Sequence, residues 1–278
     1  MALPHNIAPD MPPLIAVHGI RRGAKLQADL FGKRAAALGQ PVIAPVFDKA
    51  DWLGYQQAFL CGRADLALLD LVLALRNEGV VKTEKIDLFG FSGGAQFVHR
   101  FAMLHPDRVS HLSIASPGWY TFPDNAPYPY GLWPRPEHPD EWSYCLIAKL
   151  DRFLALPMRV CVGENDCVRD KNTRSGAAID AQQGLNRLDR AKRWAEAVRT
   201  TAIDMKVAPQ ITLHELKGCG HDFQTCVTKG ELDRIVIPDL PAHQWPVTSC
   251  RGTCTAQQRR MCHSKSGATP LNVMEATG

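Results

Sequence analysis

Lys85-Ile86-Asp87-Leu88-Phe89-Gly90-Phe91-Ser92-Gly93-Gly94 begins as a strand and ends as the start of a helix, and its last five residues spell G-x-S-x-G. The helical pattern runs from Gly94 to Leu104, with Phe97 and Phe101 four apart on one face and Pro106 just beyond its end. A serine at such a junction sits on a sharp, strained turn that lifts its hydroxyl above the sheet. Small residues at 90 and 94 let strand and helix approach closely enough to form that turn. The N–H of Gly93, just after the serine, then points at a developing oxyanion, where the helix dipole assists. The competing reading is a Gly-rich turn that cradles phosphate or carries no chemistry. The strand before and the helix after favour the nucleophile.

Outward from this junction, short apolar runs alternate with longer helical patterns, the signature of a parallel sheet with helices on both faces. Strands are expected at Leu14 to Val17, Val42 to Phe47, Lys85 to Phe91, Val109 to Ala115, Met158 to Val162 and Ile211 to Leu216. Helices are expected over 63–78 and from about Gln182 to Arg199. In the second of these, Leu185, Leu188, Ala191, Ala195 and Val198 form the inward face. Its Arg187, Arg190 and Arg193 form a basic stripe, read here as solvated.

A serine hydroxyl needs a base, and the base needs an acid to hold it. The strand at Met158 to Val162 runs into Gly163-Glu164-Asn165-Asp166. A carboxylate just past a strand end shares the rim on which Ser92 lies, so Asp166 is the expected acid, with Asp170 and Glu164 as rivals. Past the last strand comes Gly218-Cys219-Gly220-His221-Asp222-Phe223, whose glycines free the loop to bring His221 over the sheet as general base. His214 lies inside a strand, and His243 and His263 fall in the tail. The first strand ends in His18-Gly19-Ile20, where the backbone N–H of Ile20, or of Arg21 if the turn is longer, is the expected second oxyanion donor beside Gly93. The order Ser…Asp…His is the one used by hydrolases with a nucleophile elbow.

Residues 116–141 break the alternation. They are rich in proline and aromatics and fit neither helix nor strand, so they are expected to form a cover loop. Trp119, Tyr120 and Trp133 are candidates to line the substrate pocket. From about Pro238 the apolar periodicity ends, giving a catalytic domain over 1–237 and a flexible tail over 238–278. The tail's Cys250, Cys254, Cys262 and His263 fit no zinc spacing, so no metal site is assigned.

At these residues the chain resembles the α/β-hydrolase superfamily over roughly residues 12–235. More narrowly, HGIRRGA, GFSGGAQ, SPGWYTFPD followed by YPYGLWP, GENDCVRD, QQGLNRLDRAKRW and GCGHDF resemble bacterial esterases of the polyhydroxybutyrate-depolymerase-like and feruloyl-esterase-like groups. The resemblance implies ester hydrolysis through an acyl-enzyme without metal or cofactor, and it carries roles to Ser92, Asp166 and His221. The first two strands of the full fold are absent or vestigial here, and no large helical cap follows Ala115. The expected fold is α/β, with a mostly parallel sheet of about six strands and a minimal cap.

With 32 Lys+Arg against 28 Asp+Glu, the net charge of +4 is too mild to argue for nucleic acid or an anionic membrane. No apolar run reaches the roughly 20 residues of a membrane span. Met1 to Pro13 has neither a basic nor an apolar signal region, so a cytoplasmic location is expected. Nine cysteines in such a compartment read as buried inert thiols rather than a disulfide framework. The expected substrate is a small-molecule ester. A thioesterase or peptidase would use the same groups, and a non-catalytic ligand-binding module on this fold is the rival class.

Overall fold

In the computed structural model, which describes residues 1–59, 62–135 and 141–239, six strands form one parallel sheet in the order β2-β1-β3-β4-β5-β6. The strands are β1 (Leu14–Val17), β2 (Val42–Ile43), β3 (Ile86–Phe91), β4 (Val109–Ala115), β5 (Met158–Gly163) and β6 (Ile211–Leu216). The central strands are mostly apolar because both sheet faces are covered; Asp87 of β3 and His111 of β4, near the strand starts, pair with each other at 2.8 Å. Successive residues of β1 alternate between two cores. Ile15 and Val17 join a cluster with helices α2 (Ala64–Asn77), α3 (Gly93–Leu104) and α7 (Arg187–Asp204). Leu14 and Ala16 face the opposite way, toward α1 (Ala24–Ala37), α8 (Phe223–Thr228) and α9 (Leu232–Val236). No helix among the described residues is long and apolar enough to cross a membrane.

Three departures from the sequence reading have local causes. The second strand is confined to Val42–Ile43. Pro45 has no N–H to give a ladder, and the N–H of Phe47 is taken by the His18 ring instead, at 3.0 Å. On the outer side of β2, Ala2 makes an antiparallel bridge to Val42. The long helix expected from Gln182 is two helices, α6 (Ala177–Gln183) and α7, broken where Gly184 takes φ 96. A side chain there would meet Asp189 Cβ at 2.7 Å. Leu185, expected inside, is 58% exposed in the break.

The third departure is in the basic stripe, of which Arg193 is exposed as expected but Arg187 and Arg190 are not. Arg187 and Arg190 are 1% and 0% exposed. Arg190 donates to the backbone oxygens of Gly118, Gly184 and Arg174 and pairs with Asp180 at 3.2 Å, tying the 116–135 loop and α6 to α7. Arg187 reaches the candidate site itself.

The aromatic segment has neither helix nor strand from 116 to 135, yet it is firmly packed. Gln183 bonds both the N–H and the carbonyl of Tyr120, each at 2.9 Å. The His99 ring accepts from Thr121 N–H at 3.0 Å, and Trp194 Nε1 donates to Thr121 O at 2.9 Å. The two remaining small helices on this side are α4 (Glu141–Ile147) and α5 (Leu150–Leu154). Residues 240–278, which include nearly all of the tail and its cysteines, lie outside the described residues.

Candidate active site

Ser92 caps α3 with φ 56 and ψ −112, a left-handed setting that is costly for a residue with a β-carbon. Neighbouring backbone holds it there: Ser92 N–H donates to Ala115 O at 2.8 Å, and Ser92 O accepts from Gln96 N–H at 3.2 Å. The flanking glycines are a steric requirement. A β-carbon on Gly90 would lie 2.4 Å from Gly94 O, and one on Gly94 would lie 2.0 Å from Val17 O. Either would push α3 off the sheet and flatten the turn.

His221 approaches from the loop after β6. Its Nε2 is 3.0 Å from Ser92 Oγ, and its Nδ1 is 2.8 Å from Asp166 Oδ2. The ring stacks on Phe91, the residue before the serine, at 5.1 Å and 27°. The acid loop and the histidine loop are stitched together, Asn165 N–H donating to Cys219 O at 2.8 Å. Gly163 makes this possible, since a side chain there would meet Cys219 O at 2.4 Å. Of the rival acids, Glu164 accepts from Gly218 N–H at 3.0 Å and so serves the same seam. Asp170 faces Arg187 at 2.8 Å. His214 bonds the Thr212 hydroxyl within its own strand.

The amides of Ile20 and Gly93 are neighbours at this turn. A β-carbon on Gly93 would sit 3.3 Å from Ile20 N, and among the described residues neither amide donates a hydrogen bond. The turn carrying Ile20 is braced at every step. Tyr55 hydroxyl donates to His18 O at 2.7 Å, Arg22 N–H donates to Gly19 O at 3.0 Å, and the Arg22 guanidinium bonds Ile20 O at 3.1 Å. His18 is fully buried, accepting from Phe47 N–H on Nε2 while its Nδ1–H donates to Gly19 O. The ring is therefore neutral, and burial pushes its pKa down to about 4. The unfolded chain binds that proton near pH 6.5 while the native ring does not, so acid favours unfolding through this window. The urea midpoint at pH 5 is expected to correspond to about 2 kcal/mol less stability than at pH 8 from His18 alone. Buried His99, also held neutral by desolvation, adds to the same direction. A flat stability profile from pH 8 to 5 would refute this account of the brace.

Of the aromatic candidates, Trp119 is 7% exposed, with the guanidinium of Arg100 over its ring at 3.9 Å and that of Arg174 at 5.2 Å. Tyr120 does not reach the rim; it is 0% exposed and stacks on Trp194 at 4.9 Å. Trp133 is 56% exposed on the outer part of the loop, paired through its backbone with Tyr128 and Ala126. The structure thus gathers Ser92, His221, Asp166, Gly93 and Ile20; Tyr120 lies buried within range of the Asp166 charge, while Trp119 packs among Arg100, Arg174 and Tyr130 and Trp133 is exposed on the outer loop.

Tyr55 and Arg187 escaped the sequence reading. Nothing local marks Tyr55. Arg187 carried a signal: a cation in the first turn of a helix opposes the macrodipole and calls for an acid partner elsewhere. That signal was hidden while the break at Gly184 went unread. Cys161, Cys167, Cys219 and Cys226 are free thiols. Burial pushes Cys161 and Cys226 up to about 12, in keeping with inert thiols, whereas Cys167 is exposed. Among the described residues no group of three or more His, Cys, Asp or Glu could hold a metal ion.

No family model and no curated protein matches the chain. Solved structures do. The chain is similar to a poly(aspartic acid) hydrolase-1 from Sphingomonas sp. KT-1, with 25% identity and a TM-score of 0.69 over 84% of this chain and 90% of that one. It is also similar to a poly(3-hydroxybutyrate) depolymerase from Bordetella parapertussis, with 26% identity and a TM-score of 0.68 over 87% and 86% of the two chains. An S-formylglutathione hydrolase from Agrobacterium tumefaciens shares the fold at 14% identity and a TM-score of 0.51, over 84% of this chain and 87% of that one.

Proposed function

We propose that this chain, which belongs to the α/β-hydrolase superfamily, is a serine hydrolase that cleaves carboxylic esters through an acyl-enzyme. One observation carries the reading: a single imidazole bridges Ser92 Oγ at 3.0 Å and the buried carboxylate of Asp166 at 2.8 Å. Ser92 Oγ attacks the carbonyl carbon as its proton passes to His221 Nε2. Asp166 accepts from Nδ1–H, fixing the tautomer and stabilising the imidazolium that forms. The carbonyl oxygen becomes an oxyanion and takes hydrogen bonds from the unengaged amides of Gly93 and Ile20. Collapse expels the alcohol, which receives the proton from His221. Water then repeats the sequence on the acyl-serine and restores the hydroxyl.

Trp119 forms one side of the acyl or alcohol pocket, with Tyr120 supporting that wall from behind. The likeness to proteins named for poly(3-hydroxybutyrate) and poly(aspartic acid) supports substrates built from short hydroxy- or amino-acid units. Ester cleavage is the primary reaction and amide cleavage the second. A fluorophosphonate probe tests the assignment directly. The expected result is one labelled site, mapped by mass spectrometry to the peptide containing Ser92. Wild-type protein that takes up no label would instead favour a non-catalytic binding module.

A further inference from the structure

We propose that Arg187 is a positioning residue for this chemistry, a buried guanidinium that aligns Asp166 toward His221 and sets the pH at which that base works; the proposal rests on the serine-hydrolase reading above. Arg187 stands at the first position of α7, 1% exposed. Its Nη1 donates to Asp166 Oδ1 at 3.3 Å, leaving Oδ2 for His221 at 2.8 Å. Its Nη2 donates to Asp170 Oδ1 at 2.8 Å. Each carboxylate oxygen of Asp166 therefore has its own donor, and the group cannot rotate away from the imidazole without breaking one of them. Leu188 N–H, one residue further along α7, fixes the backbone of Asp166 by donating to its carbonyl at 3.2 Å.

The remaining contacts of Arg187 favour this role over a packing role. Its buried Nε has no partner among the described residues, so the side chain is placed for the two carboxylates rather than for its own full satisfaction. Burying a cation is costly unless it is paired, and here the pairing group is the acid of the site. Asp170 is the permanent counter-ion. The Arg187 fork, the Thr173 hydroxyl and the Asn172 N–H hold its carboxyl at about 2, so it stays ionised wherever the enzyme works.

The other titratable groups facing this cluster are quiet. Cys226 and Tyr120, close to Asp166, are held neutral by burial. Arg190, beside Arg187, is matched by Asp180. Asp222 near His221 is held ionised by its cap to Thr225 and faces Arg21 at the rim. Arg187 and Asp170 are thus opposite charges placed in series behind the carboxylate that holds the imidazole.

The test is the acid limb of the kcat/KM profile, which reports the free enzyme's base. In Arg187→Gln the cation is lost, the imidazolium is favoured, and the limb is expected to move up by about half a pH unit. The same variant should lose about 10- to 100-fold in kcat with KM little changed, since orientation is lost and substrate contacts are not. In Asp170→Asn the counter-ion is lost, and the limb is expected to move down by a smaller amount, because Asp170 stands beyond Arg187 from the imidazole and is 40% exposed. Arg187→Lys keeps the charge without the fork, so it should share the kcat loss while keeping the wild-type limb.

Opposite movements in the two charge variants support the proposal; limbs that stay fixed or move together overturn it. If Arg187→Gln fails to fold, Asp170→Asn decides alone, because its side chain is 40% exposed and tolerates the change. The His221 ring resonances, followed by NMR across pH, give the same comparison in protein that turns over no ester. Failure of the hydrolase reading and failure of this one are therefore told apart.

Discussion

Replacing Ser92 by alanine is expected to lower kcat toward p-nitrophenyl esters by roughly 10⁴- to 10⁶-fold while leaving the fold intact. The loss is large because, among the described residues, Ser92 Oγ is the group hydrogen-bonded to His221 Nε2, and the proposed acyl-enzyme route closes with the hydroxyl. The fold should survive because Ser92 contributes little packing: its one side-chain hydrogen bond is to His221, and its backbone bonds to Ala115 and Gln96 remain. Alanine at φ 56 is strained about as much as serine, so the melting temperature should shift by only a few degrees. Steady-state assays with a thermal melt on the same sample check both halves. A variant that folds normally and keeps a tenth of wild-type turnover would remove Ser92 from the chemistry.

Asp166→Asn is expected to cost about 10⁴ in kcat, and the reason is specific to this site. Arg187 can only donate, so it claims the amide oxygen of the asparagine at the place where Asp166 Oδ1 now lies, 3.3 Å away. The amide NH2 is then turned toward His221 Nδ1, which must accept. The ring proton moves to Nε2, and that nitrogen now donates toward Ser92 Oγ and cannot take its proton. The substitution is nearly isosteric, and Arg187 retains Asp170 at 2.8 Å, so folding should be little affected. The check is kcat and KM measured beside the wild type, with KM within a few-fold. If kcat falls less than tenfold, Asp166 does not orient the base.

Much of this molecule was legible along the chain. A strand buried on both faces must be largely apolar, and a tight strand–helix bend must have small residues on either side of the serine. Those requirements act over a few residues, so β3, α3, β4 and β6 were placed to within a residue or two. The candidate chain of Ser92, Asp166 and His221 followed from position alone, because loops after parallel strands all open on one rim.

What depended on the tertiary structure was the surroundings of that chain. A buried charge is tolerated through partners far away in sequence, and nothing in the spacing of Arg187, Arg190 and Arg193 reveals that the first two lie against Asp166, Asp170 and Asp180. The same holds for Tyr120, whose ring looks suited to a pocket until Trp194, on another helix, is seen to stack on it. It holds too for the His18 ring, kept neutral by burial in a setting where it accepts the N–H of Phe47. Local pattern determined which backbone could form and where the reacting groups must emerge. Which polar side chains could be buried around them was decided by contacts that exist only after the layers have closed.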